Sequence, residues 1–435
     1  MRKKVLSCLF VLTILFSPVW VSEAVSQMKE IKAGVLYSLT GPLAGGGGIS
    51  SYRGTMLAID AINDRGGVLG KYKIVPVEAN AQSSPDIAVR EIERLISVEG
   101  CSIIIGSFSS GIAVPSAVAC EKHKKIWWNS VAVSDGVVQG KHFRYVFRPG
   151  PYASTYGRFA VGYVYNNYKK LGFKDPKEIK LASLTEDGPY GSLVRFGTRE
   201  EAKKLGVSLV FDESFSHTTK DMSAIILKAK ASGQNIICHA GYAPDIILFH
   251  KQARELGLKT RAIVGEGTLY ADNPAMAKVL GAEATNYLHN IDMLPLQLMD
   301  KKKVSPENAR VLTDFSERAL KKYNDPNPAA HHSFSFSATW FLGQTILPMV
   351  IQKHGAVTPD FIRQACMEVD VPDGKTIMWY GVKFEPPESD YAGQNLRAFP
   401  VVTQFVQGKQ YVVFPEVLKT IEPVLPFPAG HPLAQ

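Results

Sequence analysis

The sequence predicts an α/β protein of two lobes, each built on a mainly parallel sheet flanked by helices, and three observations carry that reading. The first is the unit at 237–245 and 261–270, where each stretch is a short apolar run that ends in a glycine and then delivers one polar side chain, Tyr242 and Glu266 respectively. Between them, residues 244–256 place Ile246, Phe249, His250 and Ala253 at the i, i+3, i+4, i+7 spacing of one buried helical face. The unit is strand, helix, strand, and in open α/β sheets ligands sit at the carboxyl ends of the strands, where Tyr242 and Glu266 would lie. The second is length: 435 residues exceed what one ordinary core serves and suggest two domains. The third is that 145–149 leaves one α/β series and a second begins at 153.

Composition fits a soluble globular chain, with 46% hydrophobic and 20% charged residues. Its lysines and arginines are scattered along helices rather than gathered in one run. The formal charge of +9 therefore reads as solvated helix faces, not as a nucleic-acid or membrane surface. Residues 1–24 look like a cleaved secretory signal: a basic start at Arg2, Lys3 and Lys4, an apolar core over 5–21, and small residues at Ser22 and Ala24. Cys8 follows the charges too closely for a lipid-attachment site, so the mature chain is expected free in a periplasm.

Export permits disulfides among Cys101, Cys120, Cys238 and Cys366. Cys101 opens a strand and Cys120 closes the helix after it, so a Cys101 to Cys120 bridge is geometrically reasonable. Two buried thiols are the alternative, and Cys238, inside a strand, reads as core.

In chain order, 30–38 is a first strand and 39–48 the loop leaving it. Its four glycines, Gly45 to Gly48, lack phosphate-loop spacing and read as a close-approach loop. A helix over 50–63 stops at Gly66 and Gly67. Strand 73–78, a helix over 86–98 with Ala88, Ile92, Leu95 and Ile96 on one face, and strand 102–105 follow. The exit loop 106–111 runs straight into a helix, where Ser109 and Ser110 with free N–H groups form a site for an anion such as a carboxylate; capping of the helix is the plainer role. A hydrolase elbow needs glycine two residues before its serine, whereas Gly106 is three before Ser109.

Residues 126–134 are a further strand and loop. The second series runs through helix 153–171, strand 179–184, loop 185–191, a helix, strand 208–211, and a helix capped by Asp221. After 284 the rhythm changes: 287–294 reads as a crossover, 306–322 and 332–353 as helices, 376–384 as a second return, 399–406 with 410–414 as a hairpin, and 423–435 as a proline-rich surface tail. The apolar run 337–352 is too short for a membrane span and contains Gln344 and Pro348.

These pieces together resemble the exported solute-binding proteins of branched-chain amino-acid ABC transporters, a type I periplasmic binding fold. The resemblance covers nearly all of the mature chain. It rests on Leu39-Thr-Gly-Pro42, Asp60-Ala-Ile-Asn-Asp-Arg-Gly-Gly-Val-Leu-Gly70, Ile104-Ile-Gly-Ser-Phe-Ser-Ser-Gly111, Asp187-Gly-Pro-Tyr-Gly191, Ala240-Gly-Tyr242 and Gln252-Ala-Arg-Glu-Leu-Gly-Leu258. It implies two Rossmann-like lobes joined by three crossovers near 147–149, 284–290 and 379–383. Lobe one would be 28–147 plus 289–378, and lobe two 148–288 plus 379–422. It implies that Ser110 and the loop 131–134, with Val131 and Ser134, hold a ligand carboxylate, and that Tyr190, Tyr242 and Glu266 complete the site from the second lobe, Glu266 facing an ammonium group.

The chain departs from leucine-type members where an aromatic follows Gly-Pro, because Gly45 to Gly48 stand there. This implies a wider pocket, shaped instead by Trp127, Trp128, His331 and His332. The adjacent histidines read as a helix start rather than a metal site. With no nucleophile and base pair, metal cluster or nucleotide loop, no cofactor and no catalysis are expected. The partners implied are an amino acid and an ABC permease. A receptor for aromatic or other organic carboxylates is the alternative, and an exported hydrolase using Ser109 or Ser110 with His217 or His239 a distant one.

Overall fold

The structure, a computed structural model, describes residues 28–435, so the expected signal at 1–24 lies outside the described residues. In the first lobe, β1 (Lys29–Tyr37), α1 (Ile49–Asp64), β2 (Tyr72–Asn80), α2 (Pro85–Ser97), β3 (Ile103–Gly106), α3 (Ser110–Lys122), β4 (Ile126–Asn129) and β5 (Val146–Phe147) alternate as strand and helix. The five strands pair in the order β2-β1-β3-β4-β5, every pair parallel. Because helices cover both faces, β3 and β4 are continuous apolar runs rather than alternating ones. Ile104 and Trp127 face the core under α2 and α3, while Ile103, Ile105 and Trp128 face the core on the other side.

The second series is α4 (Ala153–Asn166), β6 (Lys180–Glu186), α5 (Gly191–Leu205), β7 (Ser208–Phe215), α6 (Ser223–Ala231), β8 (Ile236–Ala240), α7 (Ala243–Glu255), β9 (Ala262–Glu266), α8 (Asn273–Leu280), α9 (Ala282–Thr285) and β10 (His289–Asp292). The chain then returns to the first lobe as α10 (Pro306–Tyr323), α11 (Ala330–Phe341), a wider turn at Leu342–Ile346, α12 (Leu347–His354) and α13 (Pro359–Glu368). The continuous helix Ala330–His354 is long and apolar enough to cross a bilayer, but 78% of its most apolar window is buried inside the protein, and it serves as a core helix. Finally β11 (Val401–Val406) and β12 (Lys409–Phe414) add an antiparallel hairpin to the second sheet, whose order is β12-β11-β10-β9-β8-β6-β7.

Several segments differ from the sequence expectation. Residues 289–291 pair in parallel with β9 and Asp292 pairs with Val401 of β11, so the chain leaves the second lobe after Asp292 rather than within 284–290. Tyr380, Val382 and Phe384 pack in the first lobe's core, and the second sheet is rejoined only at Val401. The proline-rich tail is not a surface strap, since Phe427 and Leu433 are buried in the core that α6 and α7 cover. Cys101 and Cys120 lie in one apolar cluster as free, buried thiols, and burial pushes Cys101 up to about 11. Of the two alternatives, a bridge or two buried thiols, the structure has the thiols.

At the passage between lobes, buried Arg148 donates from Nη1 to the Ser134 carbonyl at 2.5 Å and from Nε to Gln394 Oε1 at 2.6 Å. Gln394 and Asn395 in turn donate to the Gly150 and Pro149 carbonyls at 2.8 and 2.9 Å. Two crossing segments of chain are thereby pinned to each other.

Candidate ligand site

Both sheets reverse their strand order beside a first strand, between β1 and β3 in one lobe and between β6 and β8 in the other. Such reversals open a crevice beyond the carboxyl ends of the strands. Here the two crevices face each other across a gap of about 340 Å³, a figure that includes its opening to solvent. The loop after β3 supplies Phe108 and Ser110, the loop after β4 Val131 and Val133, and the start of α11 His331. From the opposite lobe come Tyr156, Tyr190, Tyr242, Gly267, Thr268, Asp292 and Met293.

On the first-lobe side, the start of α3 turns its N–H groups and the positive end of its dipole toward the cleft, which favours negative charge; the Ile112 N–H already bonds the Ser109 carbonyl at 3.2 Å, and the Ser110 N–H meets the Tyr242 hydroxyl. Ser110 is the first residue of α3, and its Oγ accepts the Ser134 N–H at 3.1 Å. Ser134 therefore acts through its backbone. Its hydroxyl accepts from the Gly136 N–H at 3.2 Å and caps a short turn, so it is not the side-chain donor expected. Ser109 does not line the cavity either; its hydroxyl meets the Tyr242 hydroxyl at 3.4 Å, a contact from lobe to lobe.

Phe108 corrects the expectation of a wide pocket. Its ring stands edge-on to Tyr242 at 6.0 Å and to His331 at 5.0 Å. A Cβ at Gly47 would stand 2.2 Å from Phe108 Cε2, so the glycine-rich loop leaves the room that this ring fills. The aromatic missing after Gly-Pro is thus replaced from another loop. Trp127 and Trp128 do not shape the pocket: both are wholly buried in the two cores of the first lobe, as period-two alternation in β4 requires. His332 is buried outside the cavity, while burial pushes His331 down to about 3 and keeps its ring neutral.

Across the cleft, Tyr190, just ahead of α5, turns its hydroxyl back to donate to the Glu266 carbonyl. Tyr242 precedes α7 at the end of β8. Glu266, expected to face an ammonium group, is buried without lining the cavity, and neither carboxylate oxygen has a hydrogen-bond partner among the described residues. Burial pushes its carboxyl up to about 8. Gly267, at φ 76°, turns the chain just after it, and this turn brings Gly267 and Thr268 rather than Glu266 to the wall.

The acid that does line the cavity is Asp292, which sequence reasoning missed because 287–294 read as a crossover rather than as strand β10. Its Oδ1 accepts from the Tyr156 hydroxyl at 2.7 Å and from the Met293 N–H at 2.8 Å, and burial pushes its carboxyl up to about 7. Tyr156, in the first turns of α4, was missed as well; no pattern in one sequence distinguishes it from a core tyrosine.

The hydrolase arrangement is not assembled. His239 is buried with its Nδ1 2.6 Å from the Tyr270 hydroxyl, and exposed His217 stands beside the Tyr242 ring at 6.1 Å; neither is hydrogen-bonded to Ser109 or Ser110. His217 also brings a ring nitrogen within 4.8 Å of carboxylate oxygens of Glu186 and Asp187. Glu186 there accepts the Gly188 and Gly191 N–H groups, both at 2.6 Å, and so braces the turn that presents Tyr190.

A family model described as periplasmic binding protein matches residues 30–404. The chain is 33% identical over 404 residues to Leu/Ile/Val-binding protein homolog 7 of Brucella suis, covering 93% of this chain and 96% of that one. It is 30% identical to homolog 8 of Brucella abortus, covering 90% and 92%. Among solved structures, a leucine binding protein, LivK, from Thermotoga maritima superposes with a TM-score of 0.71 at 20% identity, over 88% of this chain and 97% of that one. The branched-chain amino acid transporter substrate binding protein LivJ of Streptococcus pneumoniae, in complex with isoleucine, gives 0.70 at 20% identity, over 89% and 100%. These structures share the fold seen here.

Proposed function

This chain belongs to the periplasmic binding protein family, of the branched-chain amino-acid transporter type and a solute receptor rather than an enzyme, and we propose that it binds an amino acid between its lobes and delivers it to an ABC permease. The observation that carries the reading is the polarity of the cavity: a helix start with Ser110 on one wall and the acid Asp292 on the other, with Phe108, Val131, Val133 and Met293 between them. A zwitterion's two charges cost several kcal/mol to desolvate unless each is matched, and charge-assisted hydrogen bonds return about 1.5 to 3 kcal/mol apiece. A ligand that meets one lobe with each end makes these bonds only when the lobes are closed, and so shifts the population toward closure. Export through the leader at 1–24 and residence in the periplasm belong to the same proposal, as does the permease partner.

A second reading, a receptor for aromatic or other organic carboxylates, draws on Asp292: a carboxyl raised to about 7 is partly protonated at neutral pH and in that form needs no cation beside it. Isothermal titration of the mature protein with L-leucine, L-phenylalanine and their des-amino analogues, 4-methylpentanoate and 3-phenylpropanoate, separates the two. The proposal expects the amino acid of a pair to bind tighter than its analogue; tighter binding of the analogue favours the second reading.

A further inference from the structure

The cavity needs a partner for the positive end of its ligand, and the acid expected to provide it, Glu266, does not line the wall. We infer that Asp292 is the residue that holds the ligand's ammonium group, and that Tyr156 positions it. The inference rests on the amino-acid reading above, and three features of the structure support it.

Asp292 is 4% exposed and stands at the end of β10, in the same row of strand ends that presents Tyr242 and Gly267. Its Oδ1 is engaged twice, by the Tyr156 hydroxyl and the Met293 N–H, whereas Oδ2 has no hydrogen-bond partner among the described residues. Oδ2 also lies 3.6 Å from where a Cβ on Gly267 would stand, so the absence of that Cβ leaves a gap at the wall bounded by Oδ2 and the Tyr190 hydroxyl.

An ammonium group has three donors and no acceptor capacity. It is served by a carboxylate oxygen with free lone pairs and by hydroxyl oxygens whose protons point elsewhere. Asp292 Oδ2 offers the first, and Tyr190, whose proton is given to the Glu266 carbonyl, offers the second. The hydrogen bonds to Oδ1 keep the carboxylate plane in place and favour its charged form when a cation arrives. Glu266, with neither oxygen partnered among the described residues and no place on the wall, is left as a buried acid behind it.

The ratio of affinities for L-leucine and 4-methylpentanoate tests the assignment, because an incompletely folded variant lowers both affinities together and leaves the ratio unmoved. Asp292→Asn should lower that ratio about tenfold to a hundredfold, the worth of one charge-assisted bond. Tyr156→Phe should lower it by a smaller factor, and Glu266→Gln should leave it within about threefold of the wild type. If Asp292→Asn keeps the wild-type ratio while Glu266→Gln abolishes it, the assignment to Asp292 is overturned and the receptor reading stands. If the wild-type protein binds the analogue as tightly as the amino acid, the amino-acid reading fails and the assignment falls with it.

Discussion

At the scale of single residues, side-chain chemistry alone does not decide what reaches the ligand. Ser110 and Ser134 sit on neighbouring loops and carry the same hydroxyl, yet Ser110 lines the cavity while Ser134 spends its hydroxyl on a turn and its N–H on Ser110. Ser110→Ala should therefore weaken binding of an amino acid and of its des-amino analogue alike, by about 1.5 to 3 kcal/mol, because both place a carboxylate at the start of α3. Titration calorimetry reads this directly, and unchanged affinities would remove Ser110 from the anion site. Tyr190, Tyr242 and Val131 were legible from loop position and resemblance, and His331 as a residue to shape the pocket where an aromatic is missing; all four line the cavity. Phe108 was not, because its place depends on Gly47, more than sixty positions away, having no side chain.

At the scale of elements, period and punctuation were good guides wherever a strand or helix makes its own case. Trp127 and Trp128 could be placed on a strand but not on a pocket wall, since a wholly apolar strand gives no sign of which face meets ligand and which meets helix. The tail was misread for a related reason: four prolines forbid regular structure, but they do not forbid packing. The Phe427 N–H bonds to the Arg261 carbonyl at 2.7 Å, the Thr260 N–H bonds to the Leu433 carbonyl at 2.9 Å, and Phe427 stacks on His431 with centroids 3.9 Å apart. Deleting 423–435 should thus destabilise the second lobe by about 3 to 6 kcal/mol, from exposing what Phe427 and Leu433 cover. The midpoint of urea unfolding would drop accordingly, whereas a dispensable surface strap would leave it in place.

At the scale of the whole molecule, buried acids and buried histidines set opposing pH dependences. Burial raises Asp245 and Glu266 to about 8 and Asp292 to about 7, so from about pH 4 up to those values the folded chain holds protons that the unfolded chain has lost. Stability from these groups falls as pH rises. Burial lowers His250, His289 and His331 to about 3 and His332 to about 4, so below about pH 6.5 the unfolded chain takes up protons that the folded chain refuses. Stability from these groups falls as pH drops. The two slopes offset each other between about pH 4 and 6.5, and above that only the acids act. The ligand-free protein should lose stability between about pH 6.5 and 8, and Asp292→Asn should flatten the decline. Urea midpoints measured across that range at constant ionic strength check it, and a rise with pH would refute it.

The sequence by itself determined the alternation of strand and helix, the two-lobe α/β class and the loops that end at a cleft, because these follow from local periodicity and from glycine and proline punctuation along one stretch of chain. Only the tertiary structure decided which acid faces the cavity, which aromatic fills it and what the tail covers. Those outcomes depend on which strand ends and loops, far apart in the chain, come to share one small volume, and no window of neighbouring residues contains that information.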